Sequence, residues 1–157
     1  MQIVHSVKIA TTPDRLYDAI TTTAGLSGWW TPRATAEPRV GAVNEFQFGR
    51  SMRLAFRIDR LDPTRHVSWS PVDVPPDWKE TRLTFDIDPA DAGVELVFRQ
   101  DGFAPDYHNL GAFNYLWAQY LRSLKLLLET GTGEPYGSAP SRAAGTTPTE
   151  TGPVGSA

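Results

Sequence analysis

Residues 107–131 read YHNLGAFNYLWAQYLRSLKLLLETG, and this stretch decides the fold. Leu110, Phe113, Trp117, Tyr120, Leu121, Leu124, Leu127 and Leu128 recur at three- and four-residue intervals and share one broad face of a helix. Tyr115, Gln119, Arg122 and Glu129 fall elsewhere. A stripe this wide and aromatic requires an equally apolar surface opposite it. It is the only long helix the sequence predicts, and most of the chain before it reads as strand.

Working back to the N-terminus, Gln2 to Ala10 alternates as a strand. Thr12 then offers an N-cap, Pro13 suits the first helical position, and Leu16, Ala19 and Ile20 give a short helix its apolar face. That helix ends in the Thr21 to Thr23 run, and a second short turn of helix carries Ala24 to Trp29. Pro32 and Pro38 belong to irregular or edge structure. A meander follows: strands at Val43 to Phe48, Met52 to Leu61, His66 to Ser70, Glu80 to Asp88 and Val94 to Gln100. Turns at Gly49-Arg50, Asp62-Pro63-Thr64 and Asp91-Ala92-Gly93, and a proline-rich loop at Pro71, Pro75 and Pro76, separate them. The class is α+β: one strand, two short helices, an antiparallel meander, one long helix.

Alternation sorts the meander by face. One parity collects Phe46, Phe48, Met52, Leu54, Phe56, Ile58, Leu83, Phe85, Ile87, Val94, Leu96 and Phe98. The other collects Glu45, Gln47, Arg53, Arg57, Asp59, Arg82, Thr84, Asp86, Glu95 and Arg99, with Val43, Ala55 and Val97 as its apolar members. The sheet therefore has one wet face and one apolar face, and the apolar face is the partner of the long helix. Each large side chain buried there contributes ~1.5–3 kcal/mol. The polar residues sharing that parity are few: His5 and Asn44 in strands, Gln100 at a strand end, Asn109 and Asn114 at the helix rim. Each reads either as a satisfied core or rim group or as an orienting contact to a ligand.

The chain has 157 residues, a formal charge of −3, five Trp and no Cys. Its length suits one domain. Its basic residues are spread without a run that would follow a phosphate backbone, which argues against nucleic acid. The lack of Cys removes disulfides, thiol nucleophiles and thiolate metal sites, and fits a reducing compartment. No segment approaches the ~20 apolar residues needed to cross a bilayer, and the first residues read as a strand rather than a signal peptide. The expectation is a cytoplasmic protein without membrane or nucleic-acid partners. After Gly131 the sequence becomes rich in Gly, Pro, Ser and Thr, too poor in apolar surface to offset ordering entropy, so 137–157 is expected to be a disordered tail beyond a domain spanning 1–136.

Thr12-Pro13-Asp14-Arg15-Leu16-Tyr17-Asp18-Ala19-Ile20, then Gly25-Leu26-Ser27-Gly28-Trp29-Trp30, then Val40-Gly41 before a strand and WAQYLRSLKLLLETGTGEPY at 117–136 occur in a telling order. On these motifs the chain resembles the START-like (SRPBCC, helix-grip) superfamily, within it the AHSA-like bacterial relatives of the heat-shock-protein ATPase activator C-terminal domain. The resemblance implies a curved antiparallel sheet of about six to seven strands gripping the C-terminal helix, with a cavity between them that takes an apolar or aromatic molecule. The sequence departs from the family pattern at Gly41-Ala42, where a double Gly is common. It departs again at Gln100-Asp101-Gly102-Phe103, where relatives often carry His-x-Gly-Trp, so no role of that His transfers.

Catalytic constellations are sparse. There is no nucleophile elbow, no phosphate-cradling Gly pattern, and His5, His66 and His108 lack metal-ligand spacing. No Asp, Glu, Lys or Arg of the strands has inward parity, which leaves His5, Tyr107 and Tyr17 as candidate proton carriers. The two adjacent Trp residues cannot both enter one core without a twist, so one is structural and the other lines a cavity mouth or partner surface. The leading expectation is a cofactor-free binding domain. Its ligand walls are Trp29, Trp30, Phe46, Phe48, Met52, Leu54, Phe56, Trp69, Phe85, Phe98, Phe113 and Trp117, and His5, Asn44 or Asn109 fix orientation. Two rivals follow from the resemblance: a protein-interaction module acting on a chaperone, and a polyketide cyclase- or aromatase-like enzyme.

Overall fold

The computed structural model describes residues 1–145. Seven strands form one antiparallel sheet, β1 (Gln2–Ile9), β2 (Arg33–Thr35), β3 (Val43–Phe48), β4 (Met52–Asp62), β5 (His66–Asp73), β6 (Arg82–Ala90) and β7 (Gly93–Asp101), in the order β1-β7-β6-β5-β4-β3-β2. Two short helices, α1 (Pro13–Thr21) and α2 (Thr23–Trp29), fill the crossover from β1 to β2. The long helix α3 (Leu110–Thr130) lies in the curl of the sheet, the α+β helix-grip arrangement.

Local chemistry explains most of these elements. The Thr12 hydroxyl accepts from the Arg15 N–H at 3.3 Å with Pro13 at the first helical position, and the Thr22 hydroxyl caps α2 through the Gly25 N–H at 3.0 Å. Register places large side chains opposite one another on the inner face: Phe46 against Leu54, Ile58 against Trp69, Trp69 against Leu83, Phe85 against Phe98. Register shifts between β4 and β5, at Ala55/Phe56 and Ile58/Arg60, are the irregularities that bend a sheet. Ion pairs such as Arg53 with Asp73 (2.8 Å) and His66 with Asp86 (2.5 Å) sit on the outer face.

The outer edge of β1 is covered where it meets α3. Lys125 Nζ donates to the Lys8 carbonyl (2.5 Å) and to Glu129 (2.9 Å), and Glu129 accepts the Ala10 N–H at 2.9 Å. This clamp occupies backbone groups that would otherwise pair with another strand.

The structure departs from expectation in three places. β5 continues through Pro71 to Asp73 instead of ending at Ser70, because β6 pairs only with His66 to Trp69. Beyond that point Pro71 faces β4 alone, at a register shift, where its missing N–H is tolerated. α3 starts at Leu110 rather than Tyr107, since Tyr107 turns back to stack on Phe103, with centroids 5.2 Å apart. The expected disordered tail is corrected over 137–145: Ser138 caps a short helix, α4 (Ala139–Ala143), through the Ser141 N–H at 3.2 Å, and Ser141 is buried. The cap and the buried serine supply local order that composition alone does not reveal. The remainder of that tail lies outside the described residues.

Candidate functional site

Six of the inward aromatic side chains pack solid. Trp29, Phe46, Phe56, Trp69, Phe85 and Phe98 are fully buried, with rings in succession: Phe46–Trp69 5.7 Å, Phe56–Trp69 5.7 Å, Trp69–Phe85 5.0 Å, Phe85–Phe98 5.2 Å. They form a core beneath the site and do not line it, so as wall residues they are corrected to support. Trp29 is held there by its indole N–H, which donates to the Ala19 carbonyl at 2.8 Å.

A pocket of about 260 Å³ opens between the first half of α3 and the β3–β4 hairpin, lined by Trp30, Phe48, Ser51, Met52, Leu54, Trp78, Phe113, Leu116, Trp117, Tyr120 and Tyr136. On α3 the four contributors, Phe113, Leu116, Trp117 and Tyr120, follow the i, i+3, i+4, i+7 spacing that brings one helix face to one place. Trp30 forms the floor: it follows α2 directly and packs against Phe46 (4.4 Å), Phe48 (5.3 Å) and Trp117 (5.2 Å). The Trp pair thus divides as its adjacency requires, Trp29 into the core and Trp30 into the pocket.

A buried polar chain fixes the orientation of Trp117. Its indole N–H donates to Gln100 Oε1 at 2.9 Å, Gln100 Nε2 donates to the Thr81 hydroxyl at 3.2 Å, and Thr81 donates to the Trp78 carbonyl at 2.7 Å. Two pocket residues, Trp117 and Trp78, are therefore joined through Gln100 of β7 and Thr81, just before β6. Gln100 is a satisfied core group, not a free ligand contact.

The polar residues expected to orient a ligand lie elsewhere. Asn44 is fully buried, and its Oδ1 accepts the Glu37 N–H at 3.1 Å, away from the pocket lining. His5 is half-buried on β1, opposite Phe98 and outside the lining. Asn109 is exposed just before α3. Conversely, the sequence reading missed Ser51, Trp78, Leu116, Tyr120 and Tyr136. Trp78 and Tyr136 carried a usable signal, each being a large aromatic side chain in a Pro- or Gly-rich segment that has to bury it somewhere.

No charged side chain lines the pocket. Burial holds the Tyr120 phenol well above its ordinary value, and the neighbouring Tyr136 adds to this. Tyr107 and Tyr17 are likewise raised chiefly by burial, and neither lines the pocket. These phenols stay protonated at neutral pH and are hydrogen-bonding groups rather than bases. Among the described residues, no group of three or more His, Cys, Asp or Glu is placed to hold a metal, and no helix is long and apolar enough to cross a membrane.

The model of the family described as activator of Hsp90 ATPase homolog 1-like protein matches residues 10–129. The chain belongs to that family. Its START-like frame is similar to the solution structure of the Aha1 dimer from Colwellia psychrerythraea, at 28% identity and a TM-score of 0.79, covering 85% of this chain and 99% of that one. It also shares its fold with protein MLL2253 from Mesorhizobium loti, at 23% identity and a TM-score of 0.73, covering 82% and 96% of the two chains. A third likeness is to DynU16, from the dynemicin biosynthetic locus, at 18% identity and a TM-score of 0.71, covering 84% of this chain and 48% of that one. No curated protein matches significantly. The family match runs from just before α1 to the last turn of α3, so it includes Trp30, Phe48, Leu54, Trp78 and Trp117 but not Tyr136.

Proposed function

We propose that this family member binds an apolar or aromatic small molecule in the pocket between α3 and the β3–β4 hairpin. The observation that carries the reading is the lining: an open cavity of about 260 Å³ walled by aromatic and aliphatic side chains, without a charged residue. Its floor is a set of rings already held in place, Trp30 by Phe46 and Phe48, Trp117 by Gln100. Affinity draws on apolar burial at ~25 cal/mol per Å², with little ordering of side chains to oppose it. Of the residues expected as walls, Trp30, Phe48, Met52, Leu54, Phe113 and Trp117 serve this reading. Titration with one- and two-ring aromatic compounds is expected to quench Trp emission and raise the melting temperature. Saturating concentrations that move neither would count decisively against it.

A second reading has a specific support, the family match and the likeness to Aha1: a chaperone-interaction module. It predicts that an Hsp90-type ATPase is retained on the immobilised protein and that its turnover rises. A cyclase-like activity has less to stand on, because the titratable side chains in the lining are tyrosines and the DynU16 likeness extends only to the fold.

A further inference from the structure

Beyond α3 the chain folds back along the helix and brings one residue, Tyr136, to the side of the pocket. Gly131 closes the helix, donating to the Leu127 carbonyl at 2.9 Å, and the chain then runs back beside Arg122 and Ser123 of α3 and past the end of α2. This strap is riveted. Ser123, buried in α3, donates to the Trp29 carbonyl at 2.8 Å and accepts the Glu134 N–H at 2.7 Å, and Arg122 pairs with Glu134 at 2.8 Å. Gly133 lies so close to α2 that a Cβ there would fall 2.3 Å from the Gly28 carbonyl oxygen. The Tyr136 N–H donates to the Trp30 carbonyl at 2.8 Å, which ties the strap to the residue that floors the pocket.

Tyr136 is the side chain this strap delivers. Its ring meets Phe48 edge-on, centroids 5.5 Å apart, and its hydroxyl reaches the β3–β4 turn, where a Cβ on Gly49 would come within 2.7 Å of it. It bridges the gap between helix and hairpin on one side of the cavity. The strap and Tyr136 lie beyond the residues that the family model matches, 10–129.

We propose that Tyr136 is the size-determining wall of the pocket, restricting it to a compact aromatic molecule of about two fused rings; this rests on the reading of the pocket as a binding site. Volume supplies the scale. A dry apolar cavity of ~150 Å³ takes a single benzene ring, and this pocket offers about 260 Å³. That is below the ~300 Å³ at which drug-sized ligand sites begin. With Tyr136 in place, the space ends against its ring. Truncating it removes the ring that meets Phe48 and widens the pocket on that side, which favours longer ring systems.

The test uses 2-naphthol and 1-hydroxypyrene, two and four fused rings with one hydroxyl each, titrated calorimetrically into the full chain and into Tyr136→Ala and Tyr136→Phe. Circular dichroism checks that the variants are folded. The ratio of the two affinities is expected to move toward hydroxypyrene by about tenfold in Tyr136→Ala, the scale of a steric pocket change, and to stay at the wild-type ratio in Tyr136→Phe. An unchanged ratio in Tyr136→Ala overturns the proposal. If neither compound binds any of the three proteins, the binding-site reading fails. The wall is then judged without ligand, by acrylamide quenching of Trp emission: greater quenching in Tyr136→Ala than in Tyr136→Phe upholds it, and equal quenching overturns it.

Discussion

The buried chain Trp117–Gln100–Thr81 should couple two residues whose individual losses are not additive. Replacing Gln100 with Leu keeps the volume apolar but strands the Trp117 indole N–H, which now donates at 2.9 Å to the lost oxygen. An unsatisfied buried donor costs about 1–3 kcal/mol, so Gln100→Leu is expected to lose ~2 kcal/mol. Trp117→Phe strands Gln100 Oε1 and gives up part of the ring contact with Phe98 (4.3 Å) and Trp30 (5.2 Å), a loss of ~2–4 kcal/mol. The double variant has no stranded partner across that bond. It should be less destabilised than the sum of the singles by ~1–2 kcal/mol. Urea unfolding followed by far-ultraviolet circular dichroism measures this without relying on the altered Trp. With a slope of ~1–3 kcal/mol per M, Gln100→Leu alone moves the midpoint by about 1 M. Single losses that add to within ~0.5 kcal/mol would mean the bond has no energetic role, and that Trp117 is placed by packing alone.

Three further outcomes follow from the same geometry. Leu116→Trp, which fills the pocket from a half-buried position on α3, should abolish the melting-temperature rise caused by aromatic ligands while leaving unliganded stability within about 1 kcal/mol, checked by thermal melts with and without ligand. Ser123→Ala removes the donor to the Trp29 carbonyl and the acceptor of the Glu134 N–H, and should lower stability by ~1–3 kcal/mol in urea unfolding. Glu129 is held below the ordinary carboxylate value by the Ala10 N–H and Lys125; a depressed folded-state value contributes stability above the unfolded value that is lost as pH falls through the folded one. Glu129→Gln should therefore show a shallower fall in urea midpoint between pH 6 and pH 3, and an unchanged slope would show the clamp to be energetically idle.

The frame was legible because it rests on periodicity. The stripe from Leu110 to Leu128 could only be a helix, and the alternation of Phe46, Leu54, Phe85 and Phe98 named the inner face on which that helix lies. The family motifs named the curl. The position of the cavity was not legible, since parity places a side chain on a face but says nothing of where along the face packing is complete. Phe56 and Phe48 share a parity; one is sealed beneath Trp69 and the other lines the pocket. Trp78 and Tyr136 reach the site from segments without periodicity, where no pattern assigns a direction. Asn44 and His5 were drawn toward the site by parity alone, and they lie instead over parts of the sheet that the core has already filled.

The division of the inner face into a packed part and an open part has a physical basis in α3. Its second half buries Leu121, Leu124 and Leu128, and this is the part clamped to β1 through Lys125 and Glu129 and to α2 through Ser123. Its first half presents Phe113 and Leu116, only half-buried, to a hairpin that the register shifts in β4 help to bend. Grip is thus concentrated at one end and space left at the other. The floor is held by the frame, the Trp30 ring by Phe46, Phe48 and Trp117 and the Trp117 indole by Gln100. The rim comes from the edges of the frame: Ser51 from the hairpin turn, Met52 from the first position of β4, Tyr136 from the strap. A substitution at the rim changes what the pocket admits with little effect on the core, whereas one at the floor has to disturb the core to reach the ligand. On the proposed reading of the pocket as a binding site, shape selectivity is therefore adjustable at the hairpin and the strap, and the stability of the grip is set elsewhere.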